Sequence, residues 1–233
     1  MITRIIILIA ISIIFSSTAF TQNDKKTSFR KQRKINAKEQ IIGLKNGILL
    51  VRLKTNKKSI EAMREHGRTI LANKTEGKLK NRNAYIIYAF KTSFDFCPVY
   101  FFYSSDSKHI RNNHLDSVSF LNDSLKIDKS ITVNDTNYYV AEFGHIEPTE
   151  TIDYQSSVYV PKKETRNTYT GSSDFSFKAV IVKDKMFKQL NKPFPYYSKE
   201  SSSPKKKENI NAAITKLNLI LKKYYTKIYK ELH

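Results

Sequence analysis

The sequence predicts a single domain of the α/β or α+β class, built on a mixed sheet of about five to six strands. Two apolar runs, Ile48–Leu53 and Val99–Tyr103, have the β-branched and aromatic composition of buried strands. Segment 57–93 between them is helical in composition, and this order is typical of a crossover between two parallel strands. The length of 233 residues suits one domain with an ordinary core.

The helical segment of this crossover is interrupted by glycine. Apolar residues recur at steps of three and four along 57–93, as on one face of a helix. Gly67 and Gly77 each cost up to ~1 kcal/mol relative to alanine in a helix interior. We therefore expect two helices or one broken helix, with Asn56 as the capping residue of the first turn.

The second half of the chain has the pattern of further strands. Segment 118–121 predicts a short strand, and 138–146, 157–160 and 175–183 predict strands that pair antiparallel. Segment 193–197 contains two prolines, which lack the amide hydrogen that a central strand needs. We expect it to be an extended edge or a loop.

The C-terminal segment 204–231 predicts one amphipathic helix. Ser203 is placed as the N-cap and Pro204 as the first helical residue. A single stripe of apolar side chains follows at alternating steps of four and three, formed by Ile210, Ile214, Leu217, Leu221, Tyr224 and Ile228. Packing of this stripe on the sheet is the expected arrangement, and a helix that lies on a membrane surface or binds a partner is the alternative.

The N-terminal segment 1–22 has the pattern of a cleavable signal peptide. Arg4 precedes an apolar run at 5–15, and small residues follow at 16–19 where a signal peptidase would cut. The run is shorter than the roughly 20 residues that a membrane-spanning helix needs. We expect a soluble periplasmic or secreted protein, with a flexible basic segment at 23–40 before a domain at 41–233. The alternatives for the leader are an uncleaved N-terminal anchor and a short buried helix.

The net charge of +20 is unevenly distributed. Segments 23–40, 52–82 and 199–233 carry +5, +7 and +6, whereas 83–198 is neutral. Lysine dominates this excess, whereas nucleic-acid readers depend on arginine and interleaved aromatic residues. The excess represents either solvated faces or attraction to an anionic polymer or membrane surface. Because export is predicted, no intracellular nucleic acid is expected as a partner.

Histidine and acidic residues in the neutral middle form a candidate metal site. Three of them follow the strand Val99–Tyr103, at the side where open α/β sheets bind ligands, and two share a face near the end of 138–146. Together they could surround a zinc or similar ion. The candidates are Asp106, His109, His114, His145 and Glu147. The alternative is that they are unrelated loop and strand-end residues.

Other catalytic patterns are weaker. Cys97 is the only cysteine, so no internal disulfide forms, and its apolar surroundings favour a buried thiol over a nucleophile. Glu142 with Asp95 or Asp106 is a conceivable carboxylate pair for glycoside hydrolysis. No glycine-rich phosphate loop follows the first strand, and no cofactor is expected.

Four segments carry a resemblance: FDFCPVYFFYS at 94–104, FLNDSL at 120–125, AEFGH at 141–145 and PFPYY at 193–197. With these segments, the chain resembles a family of exported proteins of Bacteroidota that has no established activity. The likeness extends over much of 45–230. It implies an exported α/β domain and assigns no site residue.

These observations predict a non-catalytic binding or interaction protein of the cell envelope, with an envelope component or another protein as its partner. A metal-assisted or carboxylate-dependent hydrolase is the first alternative. A binder of an anionic polymer or membrane surface through the basic segments is the second. Whether the protein is an enzyme stays open at this point.

Overall fold

A six-stranded mixed sheet organises the molecule. The structure is a computed structural model that describes residues 28–133, 135, 137–147 and 177–232. The signal peptide predicted at 1–22 and the strand predicted at 157–160 lie outside these residues. The sheet order is β3-β2-β1-β4-β5-β6. The strands are β1 (Ile48–Leu53), β2 (Val99–Tyr103), β3 (Phe120–Leu121), β4 (Tyr138–His145), β5 (Lys178–Lys183) and β6 (Tyr197–Lys199).

Strand β1 lies at the centre of the sheet and is parallel to both of its neighbours, β2 and β4. The predicted parallel crossover between β1 and β2 is confirmed. The expectation of purely antiparallel pairing for 138–146 is wrong, since β4 pairs antiparallel only with β5. The physical reason is that β4 is buried on both faces over residues 140–143, as strands inside parallel regions usually are.

Within the described residues, five α-helices accompany the sheet. They are α1 (28–46), α2 (Lys57–Glu65), α3 (Thr69–Ser93), α4 (Ser107–Arg111) and α5 (Lys206–Leu232). Helices α1, α3 and α5 contribute their buried side chains to the core on one face of the sheet. The shorter elements that follow β2, including α4, pack on the opposite face. The molecule is therefore a single α+β domain, as predicted.

The break in the crossover falls at Gly67, whose φ of +72° is the left-handed conformation that glycine adopts without strain. Gly77 lies inside α3 and does not interrupt it. Asn56 precedes α2, but its side chain makes no capping hydrogen bond and its φ is +47°. The predicted pair of helices is thus confirmed, and the capping role of Asn56 is wrong.

The prediction of a flexible basic segment at 23–40 is wrong for residues 28–40, which belong to helix α1. The helix is held by three fully buried side chains, Ala37, Ile41 and Leu44, spaced at steps of four and three. Only the first of them precedes residue 40. The other two lie beyond residue 40, so the apolar spacing that marks the helix is not visible within the basic segment alone.

Helix α5 packs on the sheet, as expected, and its stripe is buried from Ile210 to Ile228 except at Tyr224, which is partly buried. The helix begins at Lys206, two residues later than predicted. The carbonyl oxygen of Lys205 accepts a hydrogen bond from the backbone amide of Asn209. Because the stripe is part of the core, it is not available to a membrane or partner. No helix within the described residues is long and apolar enough to cross a membrane.

Candidate functional site: a basic groove between α1 and β6

The predicted metal ligands occupy separate positions around the sheet. Asp106 follows β2, His109 is in α4 and His114 follows α4. His145 is the last residue of β4, and Glu147 comes two residues later. In the part of the chain that the structure describes, which includes all five, no three His, Cys, Asp or Glu side chains form a group that could hold a metal ion. The structure therefore does not assemble them into a metal centre.

Two of these carboxylates already serve the fold. Asp106 accepts the backbone amide of Ser119 at 2.9 Å and the hydroxyl of Ser105 at 3.0 Å. Glu147 accepts a hydrogen bond from Lys183 Nζ at 3.0 Å. Both acids therefore anchor the connections that follow strands β2 and β4.

Glu142 lies in a buried network of charges on the sheet. Its carboxylate binds the Arg52 guanidinium of β1, and its other oxygen lies 3.0 Å from Lys183 Nζ of β5. Burial raises the pKa of Glu142, but the bonds to Arg52 and Lys183 outweigh it and hold that pKa below the ordinary value. Burial lowers the pKa of Lys183, but the contacts with Glu147 and Glu142 outweigh burial and hold that pKa above its ordinary value.

This network joins the two central strands, β1 and β4; the chain passes from β1 to β2 on one side of them and from β4 to β5 on the other, and ligands often bind at such a point in open α/β sheets. Its charges nevertheless neutralise each other. Asp95, the proposed carboxylate partner of Glu142, instead binds Lys222 and Asn218 of α5. Each acid of the predicted carboxylate pairs thus has other bonding partners, and the network is part of the scaffold.

Cys97 is buried, in agreement with the sequence-based interpretation. Burial raises the pKa of its thiol to about 12, and the nearby Lys45 lowers it by a smaller amount. A thiol with so high a pKa carries almost no thiolate at neutral pH, and the thiolate is the reactive form. Cys97 is therefore a core residue.

A groove of about 500 Å³ lies between α1 and the segment that leads into β6. One wall consists of three cations from α1, namely Arg30, Arg33 and Lys34. The other wall and the floor consist of Lys192, Pro193, Phe194, Pro195, Tyr196 and Tyr197. This groove was not predicted from the sequence, because its two walls come from segments that lie far apart along the chain, at 30–34 and 192–197.

The helical period explains why α1 presents cations here. Arg30, Arg33 and Lys34 precede Ala37 and Ile41 at steps of three and four, so they continue the stripe that packs on the core. Where the stripe is apolar it is buried. Where it becomes cationic, at Lys34, it forms the wall of an open groove.

Aromatic packing and proline hold the opposite wall in place. Phe194 is fully buried, and its ring meets the Tyr224 ring of α5 edge to face at 6.4 Å. Tyr196 is also buried, and its ring lies 4.9 Å from that of the half-buried Tyr197. Proline at 193 and 195 restricts φ, which keeps this segment extended. The groove thus has a rigid apolar floor.

In the part of the chain that the structure describes, the charged side chains that line the groove are all positive. Glu231 of α5 interacts electrostatically with Lys34, but its carboxylate binds Lys38 at 2.7 Å. That hydrogen bond is the main cause of the lowered pKa of Glu231. Because Glu231 is bound to Lys38, the groove retains a surplus of positive charge. Chemically, it fits an anionic ligand with an apolar face.

No family model, curated protein or solved structure matches this chain. The argument for function therefore depends on the geometry and charge of the groove.

Proposed function

We propose that the protein is an exported, non-catalytic binding protein of the cell envelope whose ligand is an anionic polysaccharide. The observation that carries the proposal is the groove lined by four cations and floored by proline and aromatic side chains. Export is supported by the signal-peptide pattern of residues 1–22.

The lining of the groove supports binding rather than catalysis. Among the described residues, the lining consists of arginine, lysine, proline, phenylalanine and tyrosine, and includes no carboxylic acid, histidine, serine or cysteine. Acid–base and nucleophilic catalysis usually require one of the latter groups. The hydrolase alternative therefore receives no support from this site.

The combination of charge and apolar surface supports a polysaccharide as the ligand. Tyrosine and proline offer flat apolar surfaces against which the C–H face of a sugar ring can pack, with polar groups at the rim. Arginine binds carboxylate, sulfate or phosphate groups with paired hydrogen bonds. The volume of about 500 Å³ lies within the range usual for ligand sites.

The test compares two charge-matched double variants of the full chain. Arg30→Glu with Lys192→Glu reverses two exposed cations of the groove. Lys216→Glu with Lys223→Glu reverses two exposed cations of α5 outside the groove lining. Binding to polygalacturonate, to a sulfated polysaccharide and to neutral dextran is measured by calorimetry at low and high salt.

We expect the wild type to bind the acidic polymers and not dextran, with an affinity that falls as salt screens the charges. The groove variant should lose more than about tenfold in affinity, whereas the α5 variant should change far less. Equal losses in both variants would refute a localised site. Absence of binding, or equal binding to dextran, would refute the proposed ligand class.

A further inference from the structure

The tip of the hairpin formed by α2 and α3 exposes two large apolar side chains. Ile70 is 87% exposed and Leu71 is 46% exposed, and they are adjacent in the first turn of α3. Isolated exposed apolar residues are common on protein surfaces. An isoleucine that is almost completely exposed at the turn of a helical hairpin needs a further explanation.

The hairpin has few ties to the core. In α2 and the first half of α3, the buried side chains are Ile60 and Ala72. The buried residues of α3 are otherwise concentrated in its second half, from Asn83 to Phe90. The outer part of the hairpin is thus available for contact with another surface.

Positive charge surrounds this apolar tip. Segment 57–80 contains seven lysines and arginines against three acids. Two of the acids are bound within the hairpin, Glu61 to Lys57 and Glu76 to Arg64. Within the described residues, no ion pair joins the remaining five cations to an acid; these are Lys58, Arg68, Lys74, Lys78 and Lys80.

The cations and the apolar residues share a helix face. Lys74 and Lys78 follow Ile70 at steps of four, and residues at this spacing lie on the same face of a helix. Long lysine side chains can extend along an apolar surface and keep their charge in the polar layer. Ile70 and Leu71 would then enter the boundary of the acyl chains while Lys74 and Lys78 reach the lipid phosphates.

We infer that the tip of the α2–α3 hairpin docks on an anionic phospholipid surface. Apolar insertion together with cationic contact is the combination by which peripheral proteins bind such membranes. A soluble acidic polymer would use the lysines but would have no use for Ile70 and Leu71. This inference concerns a different surface from the basic groove and does not depend on the proposed polysaccharide.

The chain contains no tryptophan, so one introduced tryptophan reports directly on insertion. In Ile70→Trp, fluorescence should shift to the blue when vesicles of phosphatidylglycerol and phosphatidylethanolamine in equal parts are added. The matched control is Leu219→Trp, because Leu219 is 65% exposed on α5 and outside the tip. Its emission should remain that of a solvated indole.

Co-sedimentation with the same vesicles measures affinity. The double change Ile70→Ser with Leu71→Ser should reduce partitioning by more than about tenfold, since it removes most of the apolar surface that would insert. Leu219→Ser should have no such effect. The groove variant with Arg30→Glu and Lys192→Glu should retain the vesicle binding of its α5 charge-matched control, which separates the two surfaces.

Three results would overturn the inference. The first is the absence of a fluorescence shift in Ile70→Trp with anionic vesicles. The second is equal partitioning of the serine variant and the wild type, or equal partitioning onto phosphatidylcholine vesicles. The third is self-association without lipid that Ile70→Ser abolishes in sedimentation, which would identify the tip as an interface between two copies of the chain.

Discussion

The charge of Glu142 is expected to contribute a large share of the stability of the domain. Its side chain is 11% exposed, and its oxygens bind Arg52 and Lys183. The change Glu142→Gln preserves the shape of the side chain and removes the negative charge. Two cations on neighbouring strands would then face an amide in a largely dry environment.

The surrounding contacts allow the cost to be estimated. Removing one partner of a buried ion pair costs about 3–5 kcal/mol. Arg52 would keep the Ser107 hydroxyl at 2.9 Å, and Lys183 would keep Glu147 at 3.0 Å, so we expect the lower end of this range. A loss of about 3 kcal/mol lowers the melting temperature of a domain of this size by roughly 6–12 °C.

The pH dependence supplies a second, independent readout. The pKa of Glu142 in the folded protein lies below its ordinary value of 4.5. A group of this kind stabilises the fold fully above its unfolded pKa and loses that contribution as pH falls through its folded pKa. The difference in unfolding free energy between wild type and Glu142→Gln should therefore be largest at neutral pH and shrink in acid below about pH 4.

Urea unfolding followed by circular dichroism, at neutral pH and through the acid range, measures both quantities. The control is Glu61→Gln, since Glu61 is 49% exposed and lies 3.8 Å from Lys57. An exposed pair of this kind contributes less than about 1 kcal/mol. Equal losses in the two variants, or a difference that does not change with pH, would refute the assigned role of Glu142.

Three further comparisons test the packing. Leu217→Ala should cost about 2–5 kcal/mol in urea unfolding because Leu217 is fully buried in α5, whereas Leu219→Ala on the same helix should stay within about 0.5 kcal/mol; similar losses would contradict the assigned faces. Gly77→Ala should stabilise α3 by about 0.5–1 kcal/mol because, apart from its chain neighbours and the backbone of its own helix, no atom lies within 4 Å of the added carbon. Gly47→Ala should instead destabilise the fold, since its Cβ would lie 2.1 Å from a backbone oxygen; the same sign of thermal shift in both glycine variants would refute this. Cys97 should resist iodoacetamide in the native protein and react only after unfolding, and rapid native labelling would contradict its burial and its pKa of about 12.

The fold was largely predictable because its main elements carry local signals. The runs at β1 and β2 are long and β-branched or aromatic, and the stripe of α5 keeps its helical period over the whole element. Helix α1 was missed because a dense set of cations precedes the three buried residues that hold it. The parallel pairing of β4 with β1 was missed because no local pattern specifies a partner 90 residues away.

The candidate site could not be predicted for the same physical reason. Spacing along the chain places side chains on one face of an element, but distances between elements depend on tertiary packing. His109 and His145 therefore looked compatible with a shared metal and were not brought into such a group. The sequence predicted a flexible basic segment for one wall of the groove and a proline-rich edge or loop for the other. The two walls form one groove only because α1 packs beside Tyr196 and Tyr197.

The central position of β1 has a consequence for synthesis of the chain. Arg52 of β1 meets Ser107, which is 55 residues further along, and Glu142, which is 90 residues further along. At about 5–20 residues per second, β1 waits for β4 for roughly 5–20 s after it has been made. Until β2 is complete, neither edge of β1 has a partner strand, and from then until β4 is complete one edge still has none. Unpaired edges of this kind promote aggregation. Nascent chains are therefore most vulnerable between the completion of β1 and the completion of β4.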